Sequence, residues 1–299
     1  MKIKIATAQY PITWHSSFED WAVHTEKWVA EAAFQKAGLL LFPEYGAMEL
    51  VSIFPEEVRR DIHTQVREMD RLRTDFYGVF SRLAAKYNVT LVSPSLPVSE
   101  GDKIYNRSYV FSAKGKSGYQ DKFFMTRFEN EIWGISSAPK ILTVFEQDWG
   151  AFGIQICYDA EFAIGSQCLG SSGAGVILMP SCTETIRGAT RVHIGARARA
   201  LENQLYTVVS QVIGEAPWSP AVDINYGYAA VYTTPDVNMP EEGVVSVMTP
   251  QAVGWLYQDL DLSLIETVRT EGQVFNYKDH SGLKSAFKDQ EVIIQKLIL

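Results

Sequence analysis

Apolar and polar residues alternate with a period of two over residues 3–9, as in a half-buried strand. The period then lengthens: Phe18, Trp21, Trp28, Val29 and Ala32 share one helical stripe, with Ser16 and Ser17 ahead of it as N-cap candidates. Gly38 suits the helix stop, and residues 39–42 form an apolar run closed by Pro43, which reads as a buried strand. A long helical stretch is expected over residues 58–86, broken near Gly78, with Asn88 as its C-cap. Residues 89–96 read as one strand. Two hairpins follow, 105–111 with 118–121 around Lys114-Gly115-Lys116, and 142–145 with 151–156 around Asp148-Trp149-Gly150. Next come a short helix from Glu161, a strand over 175–179, a helix over 190–204 and a β-branched strand over 206–213. Later strands are expected at 229–232, 244–248 and 255–260, with helical character after Leu262.

This mixed order contains no internal repeat and no low-complexity linker. It predicts an α/β fold with two sheets, or one large mixed sheet, covered by helices in one domain. Composition agrees: 46% of residues are hydrophobic and 21% charged, as in ordinary globular proteins. Lys and Arg number 27 against 35 Asp and Glu, a net charge of −8. That balance offers no electrostatic footprint for nucleic acid or an anionic membrane, and no apolar run is long enough to span a bilayer. The N-terminus lacks the apolar run of a signal peptide. Cys157, Cys168 and Cys182 are too few for a disulfide scaffold, so a reducing, cytoplasmic setting is expected. In that setting the glycosylation patterns at Asn88 and Asn106 read as chance.

Candidate chemistry lies at strand ends, where ligands gather in α/β sheets. Glu44 follows the 39–42 run, Lys122 follows 118–121, and Cys157 follows 151–156. A carboxylate, an ammonium and a thiol at three such ends could share one crevice. Each also has a plainer reading: an exposed loop carboxylate, a solvated lysine, a buried structural thiol. For Cys168 and Cys182 the structural thiol is the default. A cysteine in a sharp strand-to-helix turn would be exposed to a ligand, with backbone N–H groups aimed at what it attacks. The histidines, His15, His24, His63, His193 and His280, show no metal-ligand spacing and occupy no strand-end motif, so a cysteine–histidine pair ranks low.

Leu41-Phe42-Pro43-Glu44, Tyr119-Gln120-Asp121-Lys122 and Gly153-Ile154-Gln155-Ile156-Cys157-Tyr158-Asp159 together resemble the nitrilase superfamily of carbon–nitrogen hydrolases. The likeness extends to Ala6-Thr7-Ala8-Gln9, Tyr105-Asn106-Arg107-Ser108, Met179-Pro180-Ser181 and Arg197-Ala198-Arg199-Ala200-Leu201-Glu202-Asn203-Gln204. Single motifs of this kind are weak; their joint occurrence in order is specific.

The resemblance implies a four-layer αββα sandwich over residues 1–270, with a tail over 271–299, and pairing into homodimers or larger assemblies. It implies Glu44, Lys122 and Cys157 as catalytic residues, with a further active-site glutamate, Glu129 in preference to Glu131. The implied reaction hydrolyses the carbon–nitrogen bond of a small amide through a thioester on Cys157. Glu44 would serve as base, and Lys122 would lower the thiol pKa and, with the Tyr158 N–H, stabilise the oxyanion. No metal or other cofactor is required. Nitrile-cleaving members usually carry Trp-Glu after the cysteine, whereas this chain has Tyr158-Asp159, which favours an amidase or an N-carbamoyl hydrolase over a nitrilase. An acyl transferase would use the same thioester, and a non-catalytic scaffold would have no need of the three residues. Tyr45, Glu131, Trp133, Tyr158, Cys182 and Thr183 are the substrate-binding candidates, and the loop around Trp218 could cover the mouth. The tail from Asn276 ends in an apolar run, Val292 to Leu299, expected to pack on the core or a partner subunit.

Overall fold

The N-terminal alternation becomes β1 (Lys2–Pro11) in the computed structural model, which describes residues 1–280 and 293–296. Ser17 caps α1 (Phe18–Phe34) by accepting from the Asp20 N–H, and the helix buries Trp21, Thr25, Trp28, Val29 and Ala32 on one face. The helix stops at Gln35 and Lys36, the latter at φ 63, earlier than the expected Gly38. Gly38 instead donates to the Lys4 carbonyl and opens β2 (Leu39–Leu41), where a Cβ would lie 2.7 Å from Ile3.

The helical stretch over 58–86 is divided into α2 (Glu56–Arg60), α3 (Ile62–Glu68), a 3-10 turn (Met69–Leu72) and α4 (Arg73–Tyr87). The break falls at Asp61, whose side chain leaves the helix to cap the Thr64 N–H. Gly78 lies inside α4 with open space around it, so it breaks nothing. Asn88 ends α4 in the left-handed conformation, as expected. The single strand expected over 89–96 is β3 (Thr90–Val92) and β4 (Leu96–Glu100), separated by Ser93-Pro94-Ser95. Pro97 is tolerated because β4 is an edge strand.

The two hairpins are β5 (Lys103–Phe111) with β6 (Ser117–Asp121), and β7 (Phe145–Gln147) with β8 (Gly150–Ile154). A 3-10 turn (Cys157–Glu161) leads to α5 (Ala163–Ser171), then β9 (Val176–Ser181). α6 (Ile186–Asn203) starts four residues before the expected Thr190, because Thr185 caps it by accepting from the Gly188 N–H. β10 (Tyr206–Glu215), β11 (Ile224–Asn225), β12 (Ala230–Tyr232), β13 (Val244–Val247), β14 (Gly254–Asp261) and α7 (Leu262–Glu271) complete the order.

The central strand order is β4-β5-β3-β2-β1-β10-β9-β8-β7, with β14 antiparallel to β1. β1 runs parallel to β2 at Ile5–Thr7 and to β10 at Gln9–Pro11, so one strand joins two halves of a curled mixed sheet. Side chains alternate across it. Ala6, Ala8, Tyr10, Leu40 and Leu91 pack with α1 and α4, while Ile5, Leu39, Leu41 and Val92 pack with the second half. α6 buries Val192, Ala196 and Ala200 with that half. The result is a four-layer αββα sandwich. Each leucine or isoleucine buried between the layers contributes roughly 1.5–3 kcal/mol, and both faces of the central strands are dry.

The start of the tail packs on the core: Tyr277 donates through its N–H to Gln204 Oε1 and lies 3.8 Å under the Arg269 guanidinium. Ile293 and Ile294 are exposed in the single chain, whereas Val292 and Leu297 to Leu299 lie outside the described residues. No helix among the described residues is long and apolar enough to cross a membrane.

Candidate active site

Three strand ends converge. After β2 the chain turns at Pro43 and buries Glu44 at 1% exposure. Tyr45 follows at φ 52 and starts a 3-10 turn, Gly46–Ile53. The break between β3 and β4 holds this turn: Tyr45 N–H donates to Ser95 Oγ at 2.9 Å, and Ser95 N–H to the Pro43 carbonyl at 3.2 Å. Lys122 leaves β6 with its N–H donating to the Asn106 carbonyl of β5 at 3.0 Å. Cys157 lies three residues beyond β8 at φ 48, a left-handed conformation that costs a non-glycine residue about 1–3 kcal/mol. That twist carries Sγ out of the strand direction and towards the other two groups. α6 packs tightly behind it, since a Cβ on Gly195 would lie 2.8 Å from the Ala160 carbonyl oxygen.

The side chains form one network. Lys122 Nζ donates to Glu44 Oε1 at 2.7 Å and to Glu129 Oε2 at 2.6 Å. Glu44 also accepts from Asn106 Nδ2 on Oε1 and from the Cys182 N–H on Oε2, each at 2.9 Å. Glu129 accepts from the N–H and hydroxyl of Thr126 at 2.9 Å and from the Tyr45 hydroxyl at 2.8 Å. It sits at the start of a π-helical turn, Glu129–Trp133, a conformation common at functional sites. Cys157 Sγ lies 3.6 Å from the Cys182 carbonyl and interacts with the Glu44 carboxyl.

Burial and charge act against each other here. Burial pushes the Glu44 carboxyl above its ordinary pKa although Lys122 pulls it down. For Glu129 burial also raises the pKa, but Lys122 and the Thr126 N–H outweigh it and the net shift is downward. Burial disfavours the Lys122 ammonium, yet Glu129 and Glu44 hold its pKa well above the ordinary value. Cys157 is shifted upward by burial and by Glu44, with Lys122 opposing. Lys122 does pull the thiol pKa down, as expected, but burial and Glu44 outweigh it, so the net shift is upward and not towards neutrality. The resting group is a thiol beside a carboxylate.

Asp159 ties two of the arms together. Its carboxylate accepts from the Phe123 N–H at 3.2 and 3.1 Å and from the Phe124 N–H at 2.7 Å, joining the loop of Lys122 to the turn of Cys157. Burial pushes its pKa up to about 7. Asn106, Thr126 and Asp159 were not singled out as site residues from the sequence. A visible signal existed for Asn106, which opens the polar Asn106-Arg107-Ser108 run inside the 105–111 strand, and for Asp159, which follows the cysteine closely.

The network forms the floor of a cavity of ≈ 550 Å³. Tyr45, Trp133, Tyr158, Cys182 and Thr183 all line it. Glu131 does not: it is half exposed on the far side of the π turn, where Arg127 Nε donates to it at 2.7 Å. Of the two glutamates, only Glu129 reaches Lys122. Trp218 also stays off the cavity and packs edge-on against Trp14, while its near neighbours Pro220 and Ala221 line it. None of the five histidines lines the cavity; His193, next to the lining residue Val192, is buried against Tyr228 and Gln211. Among the described residues no group of three or more His, Cys, Asp or Glu is placed to hold a metal ion.

A sequence profile described as carbon-nitrogen hydrolase matches residues 4–270. The probable hydrolase YhcX of Bacillus subtilis is 34% identical over 277 residues, covering 93% of this chain and 53% of that protein. A chloroplastic omega-amidase of Arabidopsis thaliana is 26% identical over 255 residues, 83% of this chain and 65% of that protein. The chain thus spans about half the length of the first relative and under two thirds of the second. Among solved structures, a carbon-nitrogen hydrolase from Helicobacter pylori superposes with a TM-score of 0.76 at 17% identity, covering 96% of both chains. Saccharomyces cerevisiae Nit3, a member of branch 10 of the nitrilase superfamily, superposes with a TM-score of 0.69 at 24% identity, covering 90% of this chain and 93% of that one. The chain belongs to the carbon–nitrogen hydrolase family.

Proposed function

We propose that the protein hydrolyses the carbon–nitrogen bond of a small linear amide through a thioester on Cys157. The observation that carries this reading is the placement of Glu44 between the Cys157 thiol and the Lys122 ammonium, 2.7 Å from the latter, on the floor of one cavity. Glu44 accepts the thiol proton as Sγ attacks the carbonyl carbon. Lys122 and the Tyr158 N–H stabilise the developing oxyanion, and each such donor is worth roughly 3 kcal/mol of barrier. Protonated Glu44 then delivers the proton to the departing amine, and water activated by Glu44 hydrolyses the thioester. Glu129 orients Lys122 through the 2.6 Å contact. The similarity to an omega-amidase supports the amide over the nitrile. Comparing ammonia release from amides, nitriles and N-carbamoyl compounds, with and without an added amine acceptor, separates hydrolysis of each bond from acyl transfer.

A pH profile tests the assignment of the base. Because the Glu44 pKa is raised, kcat/KM is expected to rise with pH along an acid limb whose midpoint lies above the ordinary glutamate value of 4.5. Glu44→Gln should lower kcat by about 10²–10⁴-fold. The same substitution removes a carboxylate that raises the thiol pKa, so Cys157 should be alkylated faster at mildly alkaline pH. An acid limb that persists unchanged in the Glu44→Gln protein would remove Glu44 from the role.

The protein is further proposed to act in the cytoplasm as a homodimer or larger assembly. The exposed Ile293 and Ile294 support this, since apolar side chains held in water favour a partner surface. Light scattering at the mass of a single chain, 33.5 kDa, would overturn it.

A further inference from the structure

The cavity extends well beyond the reacting groups, and its walls differ in character from its floor. Above Cys157 and Lys122 the lining turns apolar, with Trp133, Val192, Pro220, Ala221 and Ile224 among its residues. Its volume of ≈ 550 Å³ falls within the range of roughly 300–1,000 Å³ typical of pockets that enclose drug-sized ligands. Formal charge on the lining is unbalanced, with three cations against five carboxylates. Each lining cation already has a carboxylate partner, although Arg60 and Arg191 are largely exposed. Lys122 is held by Glu44 and Glu129, Arg60 pairs with Glu56 at 3.0 Å, and Arg191 pairs with Glu161 at 3.2 Å. Glu184 lines the cavity without a salt-bridge partner among the described residues.

Resting on the reading that Cys157 attacks an amide carbonyl, we propose that this site selects amides with an extended, uncharged apolar acyl group and turns away those carrying a second carboxylate. Apolar acyl carbons leave water for the Trp133, Val192 and Ile224 walls, and each buried methylene favours binding. A remote carboxylate of equal length would lose hydration beside Glu184, in a cavity whose lining carries more carboxylates than cations.

The test compares acetamide, butanamide and hexanamide with the monoamide of hexanedioic acid. Along the neutral series kcat/KM should rise by about fourfold per methylene. The anionic six-carbon amide should fall at least about tenfold below hexanamide, as expected for an uncompensated like charge. The double substitution Ile224→Arg with Glu184→Gln should narrow that gap, because it supplies a cation and removes an anion at the wall. A flat length series, or an anionic amide that outperforms hexanamide, overturns the proposal. Calorimetric titration of the Cys157→Ala protein with the same compounds separates selection from chemistry. If hexanamide binds and the anion does not while wild type turns over neither, the hydrolytic reading fails and the selectivity stands. If hexanamide shows no saturable binding, or the anion binds more tightly, the selectivity is overturned whatever the turnover.

Discussion

Cys157→Ala is expected to reduce turnover of any amide substrate by on the order of 10⁵-fold or more, the scale seen when a covalent nucleophile is removed from a hydrolase. The argument is local. Glu44, Lys122 and Glu129 hold one another through the ammonium, so their arrangement does not depend on the sulfur. A Cβ-only side chain at φ 48 keeps the backbone turn of Cys157–Glu161, so loss of activity would not be loss of fold. What disappears is the atom that bonds the acyl carbon, while the oxyanion donors remain. Mass spectrometry of wild type quenched during turnover should reveal an acyl adduct on Cys157 that the variant lacks. Substantial turnover by Cys157→Ala would exclude the thioester route.

Lys122→Met has the second largest expected effect, and it acts on stability. The ammonium is 1% exposed and is the shared partner of two buried carboxylates. Removing one member of a buried ionic cluster typically costs about 3–5 kcal/mol, because the remaining charges stay desolvated. The pH dependence fixes the cause. Without Lys122, burial raises the folded-state pKa of Glu44 and Glu129 above that of the unfolded chain. The folded variant then binds more protons than the unfolded chain, so its deficit relative to wild type should narrow as the pH falls from about 8 towards about 5. Over the same interval the wild-type Lys122 contribution is constant, since its raised pKa leaves it fully protonated. Glu129, with a lowered pKa, loses its contribution only below the ordinary glutamate range. Lys122→Met with Glu129→Gln should recover much of the loss. Urea denaturation at several pH values measures both effects, and a deficit independent of pH would mean that packing, not charge, is responsible.

The alternation of strands and helices and the three strand-end residues were readable in the sequence, because both depend on short-range pattern, whereas the four-layer arrangement was implied by the family resemblance. Alternation in β1, the apolar run ahead of Pro43 and the stripe of α1 each follow from which faces must leave water. Element ends were less legible. The stop at Gln35 and the break at Asp61 were decided by local caps, Lys36 in a left-handed conformation and Asp61 on the Thr64 N–H, which compete with the glycines nearby. The split between β3 and β4 was invisible as a functional feature, since its purpose lies in the contact of Ser95 with Tyr45, fifty residues away.

By itself, then, the chain of residues determined that a carboxylate, an ammonium and a thiol would stand at the ends of strands. Tertiary structure alone decided which glutamate joins them, because Glu129 and Glu131 are two positions apart and differ only in the side of a π turn they occupy. It also decided the direction in which the Cys157 pKa moves. A thiol pKa reflects burial and every nearby charge, and these act on the sulfur only once Glu44 and Lys122 have been folded around it.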